Sequence, residues 1–296
     1  MVDDDMAALD NTGNLSISFE VFPPKRPEGL APLTTAVTEL QRVGPAFISV
    51  TYGAGGSERQ RSLDAIDAVR STGAAVAGHL TCVGEPRTEI EEIVDRFVAL
   101  GVDEVVALRG DPPSGIDDDY VPHPDGFQST AELVAAIKQR SDLRVAVSAY
   151  PERHPQSPSL GHDLDILADK VAAGAERAVT QMFFDNDHFF RYREAVEQRG
   201  IDVALVPGIF PIHSFPAVAR FAAQCGASMP DRLAERFEGL TDDIETTRKI
   251  AADVAAEQIS ELAANGVEHV HLYTLNRSAL GLAVCDLLGD TLHTAS

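Results

Sequence analysis

The chain has 296 residues, 44% of them hydrophobic and 24% charged, and its formal net charge at pH 7 is −22. This composition is typical of a globular protein with a large core. The strong negative charge argues against nucleic acid and anionic membrane surfaces as partners, and no apolar run is long enough to span a bilayer.

The cysteines and the N-terminus favour the reducing cytoplasm. Cys82, Cys225 and Cys285 are odd in number, far apart and without a CxxC spacing, so neither a disulfide framework nor a zinc site is indicated. Residues 1–14 are acidic and lack the apolar segment of a secretory signal, so we expect a flexible tail there. Residues 15–296 are expected to form a single domain.

Eight segments have the pattern of β-strands. In the first, Ile17, Phe19 and Val21 alternate with polar residues until two prolines, which offer no N–H to a sheet, end the strand. Glu20 therefore stands near a strand end among apolar neighbours. The predicted strands are 16–22, 47–53, 75–82, 104–111, 144–151, 177–184, 203–211 and 269–276.

Helical periodicity, with apolar residues three and four positions apart, separates the strands. The predicted helices cover 30–43, 58–71, 88–100, 130–140, 163–173, 187–199 and 243–265. Several helices are followed by a glycine, which accepts the left-handed conformation that caps a helix. These glycines are Gly73, Gly101, Gly174, Gly200 and Gly266.

The repeated order of strand, helix and glycine predicts an α/β protein, a (β/α)8 TIM barrel. Its seventh unit is long, because residues 207–268 leave room for extra helices. An open doubly wound sheet is the alternative. That fold favours a glycine-rich turn after the first strand, where this chain has "FPPKRPEG".

Polar residues gather at the C-terminal ends of the predicted strands, where barrels of this kind carry their active sites. The opposite strand ends are mostly apolar, and this asymmetry indicates a functional site. A carboxyl among apolar residues has a raised pKa, so Glu20 is a candidate proton donor. The polar residues are Glu20, Thr51, Tyr52, His79, Thr81, Arg109, Gly110, Asp111, Tyr150, Glu152, His154, Gln181, Asp185, Tyr273, Asn276 and Arg277.

Other chemistries receive less support from the spacing of residues. His79, His154, Asp111 and Asp185 could converge on a cation, but no HExxH spacing accompanies them, and no metal is expected. No serine stands in a nucleophile elbow. The glycines of "TYGAGGSER" lack the lysine of a phosphate-binding loop.

Eight motifs at these strand ends, in chain order, resemble the methylenetetrahydrofolate reductase family. They are "SFEVFPPK", "VTYGAGGSER", "HLTC", "ALRGDPP", "AYPERHP", "TQMFFD", "PGIFPI" and "YTLNR", and they cover nearly the whole chain. The resemblance implies a flavoenzyme in which NADH or NADPH reduces FAD. The reduced flavin then converts 5,10-methylenetetrahydrofolate to 5-methyltetrahydrofolate.

The resemblance also implies roles for individual residues. Glu20 matches the general acid that protonates the leaving nitrogen, and the charge of Asp111 would stabilise the resulting cation. The implied substrate contacts are Glu20, Asp111, Gln181, Phe215, Tyr273 and Arg277. The implied flavin contacts are Thr51, Tyr52, His79, Arg109, Gly110, Asp111, Tyr150, His154, Asp163 and Lys170.

One helix departs from the family pattern. Ile166 stands where an asparagine, and Asp169 where an arginine, would contact the ADP end of FAD. FAD stays the expected cofactor, with FMN and a flavin-independent direct hydride transfer as alternatives. A folate-binding protein or a reductase subunit without its own flavin is a further alternative. The choice of NADH or NADPH is left open, as is the oligomeric state, for which a homo-oligomer is one option.

Overall fold

The computed structural model describes residues 15–53, 56–111, 121–240 and 243–292. The tail expected at residues 1–14 lies outside the described residues. No helix in the described part of the chain has both the length and the apolar character needed to cross a bilayer.

Short parallel strands form one sheet, with the order β7-β6-β5-β4-β3-β2-β1-β9-β8. Each of the eight predicted segments contains a strand, and the seventh segment contains two. The strands are β1 (Ser16–Val21), β2 (Ile48–Val50), β3 (Val76–Thr81), β4 (Glu104–Leu108), β5 (Arg144–Ala149), β6 (Arg177–Thr180), β7 (Ala204–Val206), β8 (Gly208–Ile209) and β9 (His269–Tyr273).

The division of the seventh segment closes the barrel. β7 pairs with β6 whereas β8 pairs with β9, and Pro207 lies between the two halves. Proline has no N–H to donate, but the Pro207 carbonyl accepts the His271 N–H at 2.9 Å. The two ends of the sheet are therefore joined through one short segment of chain, which confirms the predicted barrel.

Gly208 lies where the two ends of the sheet come closest. Its N–H donates to Thr180 Oγ1 at 2.9 Å, and the Tyr273 hydroxyl donates to the Thr180 carbonyl at 2.7 Å. A Cβ added at Gly208 would lie 2.2 Å from that carbonyl oxygen and 2.6 Å from the Tyr273 ring. Only glycine fits between these groups without moving the backbone.

Helices surround the sheet, and three of them confirm the extra helices predicted in the seventh unit: α7, α8 and α9. The five glycines predicted to follow helices all have positive φ, between 66° and 114°. The helices are α1 (Leu30–Leu40), α2 (Gly56–Arg70), α3 (Arg87–Leu100), α4 (Thr130–Arg140), α5 (Leu160–Ala172), α6 (Asn186–Gln198), α7 (Phe215–Gln224), α8 (Asp231–Arg236), α9 (Ile244–Ala264) and α10 (Ser278–Leu288).

Helix α5 begins three residues earlier than the apolar periodicity indicates. The Ser159 side chain caps it by accepting the His162 N–H at 3.1 Å. This cap satisfies a backbone donor that the first helical turn leaves unpaired. The cap therefore determines where α5 begins, and the spacing of apolar residues carries no information about the cap.

Side chains of β1 alternate between two environments. Phe19 faces the helices, where its ring and Leu272 pack beside Leu40 and Gly281. Ser18 and Glu20 face the interior of the barrel. The alternation explains why a strand with a mostly apolar sequence carries a carboxyl at its C-terminal end.

The barrel interior below Glu20 contains a polar layer. Ser18 Oγ lies 2.7 Å from His271 Nδ1 and 2.8 Å from His269 Nε2. Phe47 packs against both imidazoles, with ring centroids 5.6 and 5.7 Å away. Burial and the positive charge of Arg177 lower the pKa of each of these histidines to about 3, so both are neutral near pH 7.

We predict that Gly208→Ala destabilises the protein more than Gly266→Ala does. The first change forces a methyl group against backbone and should lower the free energy of unfolding by about 3 kcal/mol. At Gly266, φ is +83° and nothing lies within 4 Å of the added Cβ, so we expect a loss of about 1 kcal/mol. Urea unfolding of both variants measures the difference. Equal losses would show that the contact of Gly208 with Thr180 and Tyr273 tolerates a side chain.

Because these histidines are neutral in the folded protein, we predict that the free energy of unfolding decreases at acidic pH. Below the ordinary histidine pKa of about 6.5 the unfolded chain binds a proton that folded His271 refuses until about pH 3. Stability is therefore complete above pH 6.5 and falls by roughly 1 kcal/mol per pH unit below it. Urea unfolding at about pH 7 and about pH 5 should show a smaller loss for His271→Asn than for the parent. Parallel losses in the two proteins would contradict this assignment.

Candidate active site

A cavity of about 1080 Å³ opens at the C-terminal ends of the strands. Of the substrate and flavin contacts that the family resemblance implies, all except Phe215 and Arg277 line it. The predicted residues that line the cavity are Glu20, Thr51, Tyr52, His79, Arg109, Gly110, Asp111, Tyr150, His154, Asp163, Lys170, Gln181 and Tyr273. The barrel therefore brings together groups that lie up to 253 positions apart in the sequence.

The Glu20 carboxyl lies at the floor of this cavity. Its Oε2 is 3.4 Å from His79 Nε2 and 3.9 Å from His271 Nε2. Burial raises the pKa of Glu20 above its ordinary value, and the nearby His79 only partly opposes this shift. Burial also lowers the pKa of His79. Both shifts favour the neutral forms, so the carboxyl keeps its proton to a higher pH than it would in water.

Several polar atoms at the cavity have no hydrogen-bond partner within the described chain. They are Tyr52 Oη, His79 Nε2 and Thr81 Oγ1, and all three are buried. A buried polar atom left unpaired costs about 1–3 kcal/mol. A bound heterocycle with donors and acceptors along its edge would remove this cost.

Positive charge lies at another part of the cavity wall. Lys170 on α5 is 5% exposed, and its Nζ donates to the Ser148 carbonyl at 3.1 Å. Burial lowers the pKa of Lys170 to about 8. Arg109 also lines the cavity and donates to Gln156 Oε1 at 2.7 Å. These two cations line a cavity that Asp111 and Asp163 also line, in a chain of net charge −22.

The two residues of α5 that depart from the family pattern occupy different positions. Ile166 lines the cavity and is 39% exposed. Asp169 is exposed and does not line the cavity. Neighbouring residues on a helix diverge by about 100°, so Lys170 faces the cavity while Asp169 does not. The carboxylate of Asp169 therefore does not oppose an anion held by Lys170.

The two predicted residues that do not line the cavity have structural contacts instead. Phe215, at the start of α7, stacks on Phe237 with ring centroids 5.7 Å apart. Arg277 precedes α10, and its N–H donates to the Thr274 carbonyl at 2.8 Å. Their proposed contacts with substrate stay predictions.

Other polar residues of the strand ends hold loops in place. Glu152 Oε2 accepts the Ser228 N–H at 3.0 Å, and Asp185 caps α6. The Asn276 side chain accepts the Phe22 N–H and donates to the Phe22 carbonyl, both at 2.9 Å. In the described ranges, no group of three or more histidine, cysteine or acidic residues is arranged to hold a metal ion.

Residues that the sequence pattern did not single out also reach the site. Phe221 on α7 lines the cavity and is 43% exposed, so it presents an aromatic face where Phe215 does not. His271 lies below Glu20. The signal for His271 is the alternation in "HVHLY", which matches that of "SISFE" on the paired strand β1.

Comparison with known proteins identifies relatives across almost the whole chain. The family model described as methylenetetrahydrofolate reductase matches residues 5–289. The 5,10-methylenetetrahydrofolate reductase of Escherichia coli strain K12 is 38% identical over 278 residues, which cover 94% of this chain and 92% of that protein. Methylenetetrahydrofolate reductase (NADH) 1 of Arabidopsis thaliana is 33% identical, with 94% of this chain and 49% of that protein covered.

A solved structure shares the fold. It is an uncharacterised protein from Clostridium thermocellum that binds two copies of 5-methyl-5,6,7,8-tetrahydrofolic acid. Its TM-score is 0.63 at 12% identity, with 94% of this chain and 96% of that chain covered. From the barrel, the family model and relatives that match it along nearly its full length, the chain belongs to the methylenetetrahydrofolate reductase family.

Proposed function

We propose that this protein reduces 5,10-methylenetetrahydrofolate to 5-methyltetrahydrofolate, with Glu20 as the general acid. The observation that carries this proposal is the Glu20 carboxyl, buried at the cavity floor beside neutral His79 with its pKa raised. Relatives that are 33–38% identical are methylenetetrahydrofolate reductases, which supports the substrate. The nicotinamide partner and a homo-oligomeric assembly are part of the proposal on the same family grounds.

The chemistry of the substrate explains why a protonated carboxyl is needed. The methylene carbon bridges two nitrogens, and hydride adds readily only after one C–N bond opens to give an iminium cation. Glu20 protonates the leaving nitrogen, and general acids of this kind contribute roughly 10²–10⁴-fold to rate. Asp111 lies at the cavity edge, where its negative charge favours the cation.

The residues of the cavity fit the ring end of a flavin. Unpartnered Tyr52 Oη and Thr81 Oγ1 are available to the polar edge of a heterocycle. Gly110 has φ +83°, and a Cβ there would lie 2.5 Å from Val83 and 2.9 Å from Thr81, so this part of the wall admits only glycine. When bound, the flavin accepts hydride from the nicotinamide and supplies it to the folate.

At the phosphate end the fit is partial. Lys170 and Arg109 supply positive charge at the cavity wall, as a pyrophosphate requires. Ile166 offers an apolar surface and no hydrogen bond where the family has an asparagine. We therefore propose FAD, held mainly through its ring and pyrophosphate. Purified protein without flavin absorption, and unable to take up added FAD, would favour the flavin-independent alternative.

The position of Phe221 beside Phe210 at the cavity supports a stacking role for Phe221. Phe221 lies on the cavity side of α7 with its ring centroid 5.7 Å from that of Phe210. The pterin and nicotinamide rings are flat, and aromatic rings in contact with them contribute about 0.5–1.5 kcal/mol beyond their buried area. We assign the substrate-stacking role to Phe221.

Glu20→Gln is expected to lower the rate of folate reduction by roughly 10²–10⁴-fold, because an amide is nearly isosteric but cannot supply the proton. Reduction of the flavin by nicotinamide should persist, since that half-reaction needs no acid at the folate. Stopped-flow measurement of the two half-reactions separates these effects. Glu152→Gln is a matched control, because that carboxylate binds Ser228 outside the cavity. Folate reduction at the parent rate in Glu20→Gln would refute the assigned role.

We predict that substitutions at Asp169 and Lys170, which are neighbours on α5, differ in their effect on flavin affinity. Lys170→Met should weaken FAD binding roughly tenfold or more, because hydrogen bonds to charged groups contribute about 1.5–3 kcal/mol. Asp169→Arg should change the dissociation constant by less than about threefold, since exposed charges are worth about 1 kcal/mol or less. Fluorescence titration of apoprotein with FAD measures both.

Lys249→Met, at an exposed position of α9, controls for the general loss of a positive charge. A strong gain of affinity in Asp169→Arg would place that side chain at the pyrophosphate. An unchanged affinity in Lys170→Met would remove α5 from the flavin site.

A further inference from the structure

A continuous row of polar side chains crosses the barrel interior below the cavity. It consists of His269, Ser18, His271 and Glu20, and we call it the histidine row. Its members lie on the adjacent parallel strands β1 and β9, where Ser16 pairs with His269 and Ser18 with His271. Ser18 and His271 are 0% and 2% exposed. His269, at the N-terminal end of β9, is partly exposed.

We propose that the histidine row returns a proton to Glu20 from the N-terminal end of the barrel after each turnover, an inference that rests on the proposed function. The reaction consumes one proton along with each hydride, so Glu20 must regain the proton it gives to the leaving nitrogen. Ligands that fill the cavity cover Glu20 on that side. The opposite side of Glu20 faces His271, 3.9 Å away.

With one choice of histidine tautomers, every hydrogen bond in the histidine row is donated in the same direction, toward Glu20. His269 donates its Nε2–H to Ser18 Oγ over 2.8 Å, and Ser18 donates its O–H to His271 Nδ1 over 2.7 Å. His271 then carries its proton on Nε2, which faces Glu20 and lies 3.3 Å from Ser49 Oγ. The hydroxyl of Ser18 is the only link between the two imidazoles among the described side chains, so the row depends on it.

Proton transfer along the row balances without leaving a charge behind. A proton arrives at His269 Nδ1, and the Nε2 proton passes to Ser18. The original Ser18 proton passes to His271 Nδ1, and the Nε2 proton of His271 passes to the Glu20 carboxylate. One proton enters and one leaves, and no covalent bond between heavy atoms changes. Each imidazole ends in its other tautomer, and proton exchange at the two rings restores the starting tautomers before the next turnover. The last step of 3.9 Å requires one bridging water or a rotation of the Glu20 side chain.

Titratable groups at the cavity end and charged groups at the other end suit this role. At the cavity end, His79 and Glu20 face the row, together with the ring of Tyr273, whose centroid lies 5.5 Å from that of His271. At the other end, Arg177 lies 5.0 Å from the centroid of Phe47 and pairs with buried Glu104 at 2.6 Å. Arg144 lies 3.8 Å from the same carboxylate. Burial, helped by the positive charge of Arg177, keeps both imidazoles neutral, as a relay with one acceptor and one donor nitrogen per ring requires.

Ser18→Ala tests the proposal by removing only the linking hydroxyl. In the flavin-loaded enzyme, steady-state folate reduction should fall roughly tenfold or more, within the range for lost proton transfer. A single turnover of pre-reduced enzyme should keep the parent rate, because Glu20 begins protonated. A general loss of structure would lower both rates. Ser18→Thr keeps the hydroxyl and should restore most of the steady-state rate.

Ser16→Ala is the matched control, since it lies on the same strand and its hydroxyl donates to the Glu268 carbonyl outside the row. A second readout is independent of turnover. In ¹⁵N-histidine-labelled protein, the NMR spectrum should show His271 protonated on Nε2 in the parent, and this preference should be lost in Ser18→Ala.

The outcomes separate the proposal from the function on which it rests. Unchanged steady-state turnover in Ser18→Ala, or a parent His271 protonated on Nδ1, would overturn the relay alone. A parent enzyme that does not reduce the folate at all would overturn the proposed function, and the relay with it.

Discussion

The Glu20 carboxyl, on a side chain that is 20% exposed, faces the neutral imidazole of His79, and the proposed site depends on this interaction. Glu20 Oε2 and His79 Nε2 are 3.4 Å apart, and burial disfavours the charged form of each group. If His79 were charged, the pair would become an ion pair and Glu20 would lose its proton. The neutrality of the barrel interior is therefore what allows a carboxyl to serve as an acid.

The closure of the barrel maintains that environment. β1 pairs with β9 on one side and β2 on the other, so Glu20 is fixed by hydrogen bonds from both neighbouring strands. β9 in turn pairs with β8, and the close contact at Gly208 joins it to Thr180 on β6. A shift of these strand contacts would move His271 and Tyr273 relative to Glu20. The stability of the fold and the acidity of the Glu20 carboxyl therefore depend on the same few contacts between strands.

Two basic side chains line the cavity among acidic ones, which include Asp111 and Asp163. The chain carries a net charge of −22, whereas Lys170 and Arg109 both line the cavity. Lys170 is buried through its stem and held by the Ser148 carbonyl, so its charge is fixed in position.

Much of this arrangement was accessible from the sequence, because strand alternation and helix-capping glycines are local signals. The eight strand segments and the gathering of polar residues at their C-terminal ends follow from such signals. The break at Pro207 could not be predicted, since it depends on which strands pair across the closing seam. The direction of Asp169 and the choice between Phe221 and Phe215 depend on how α5 and α7 rotate against the barrel. His271 carried a usable signal, an inward-facing alternation matching that of β1, which is visible only when the two strands are known to be neighbours.

The protonation of Glu20 itself is the most direct test. Infrared difference spectra of the parent against Glu20→Gln, recorded over a pH titration, isolate the carboxyl band of this one side chain. A buried general acid predicts a midpoint displaced above the ordinary glutamate value of 4.5, with protonated carboxyl still detected near neutral pH. A midpoint at or below 4.5 would mean that Glu20 is ionised in the resting enzyme, and the proposed acid role would be wrong.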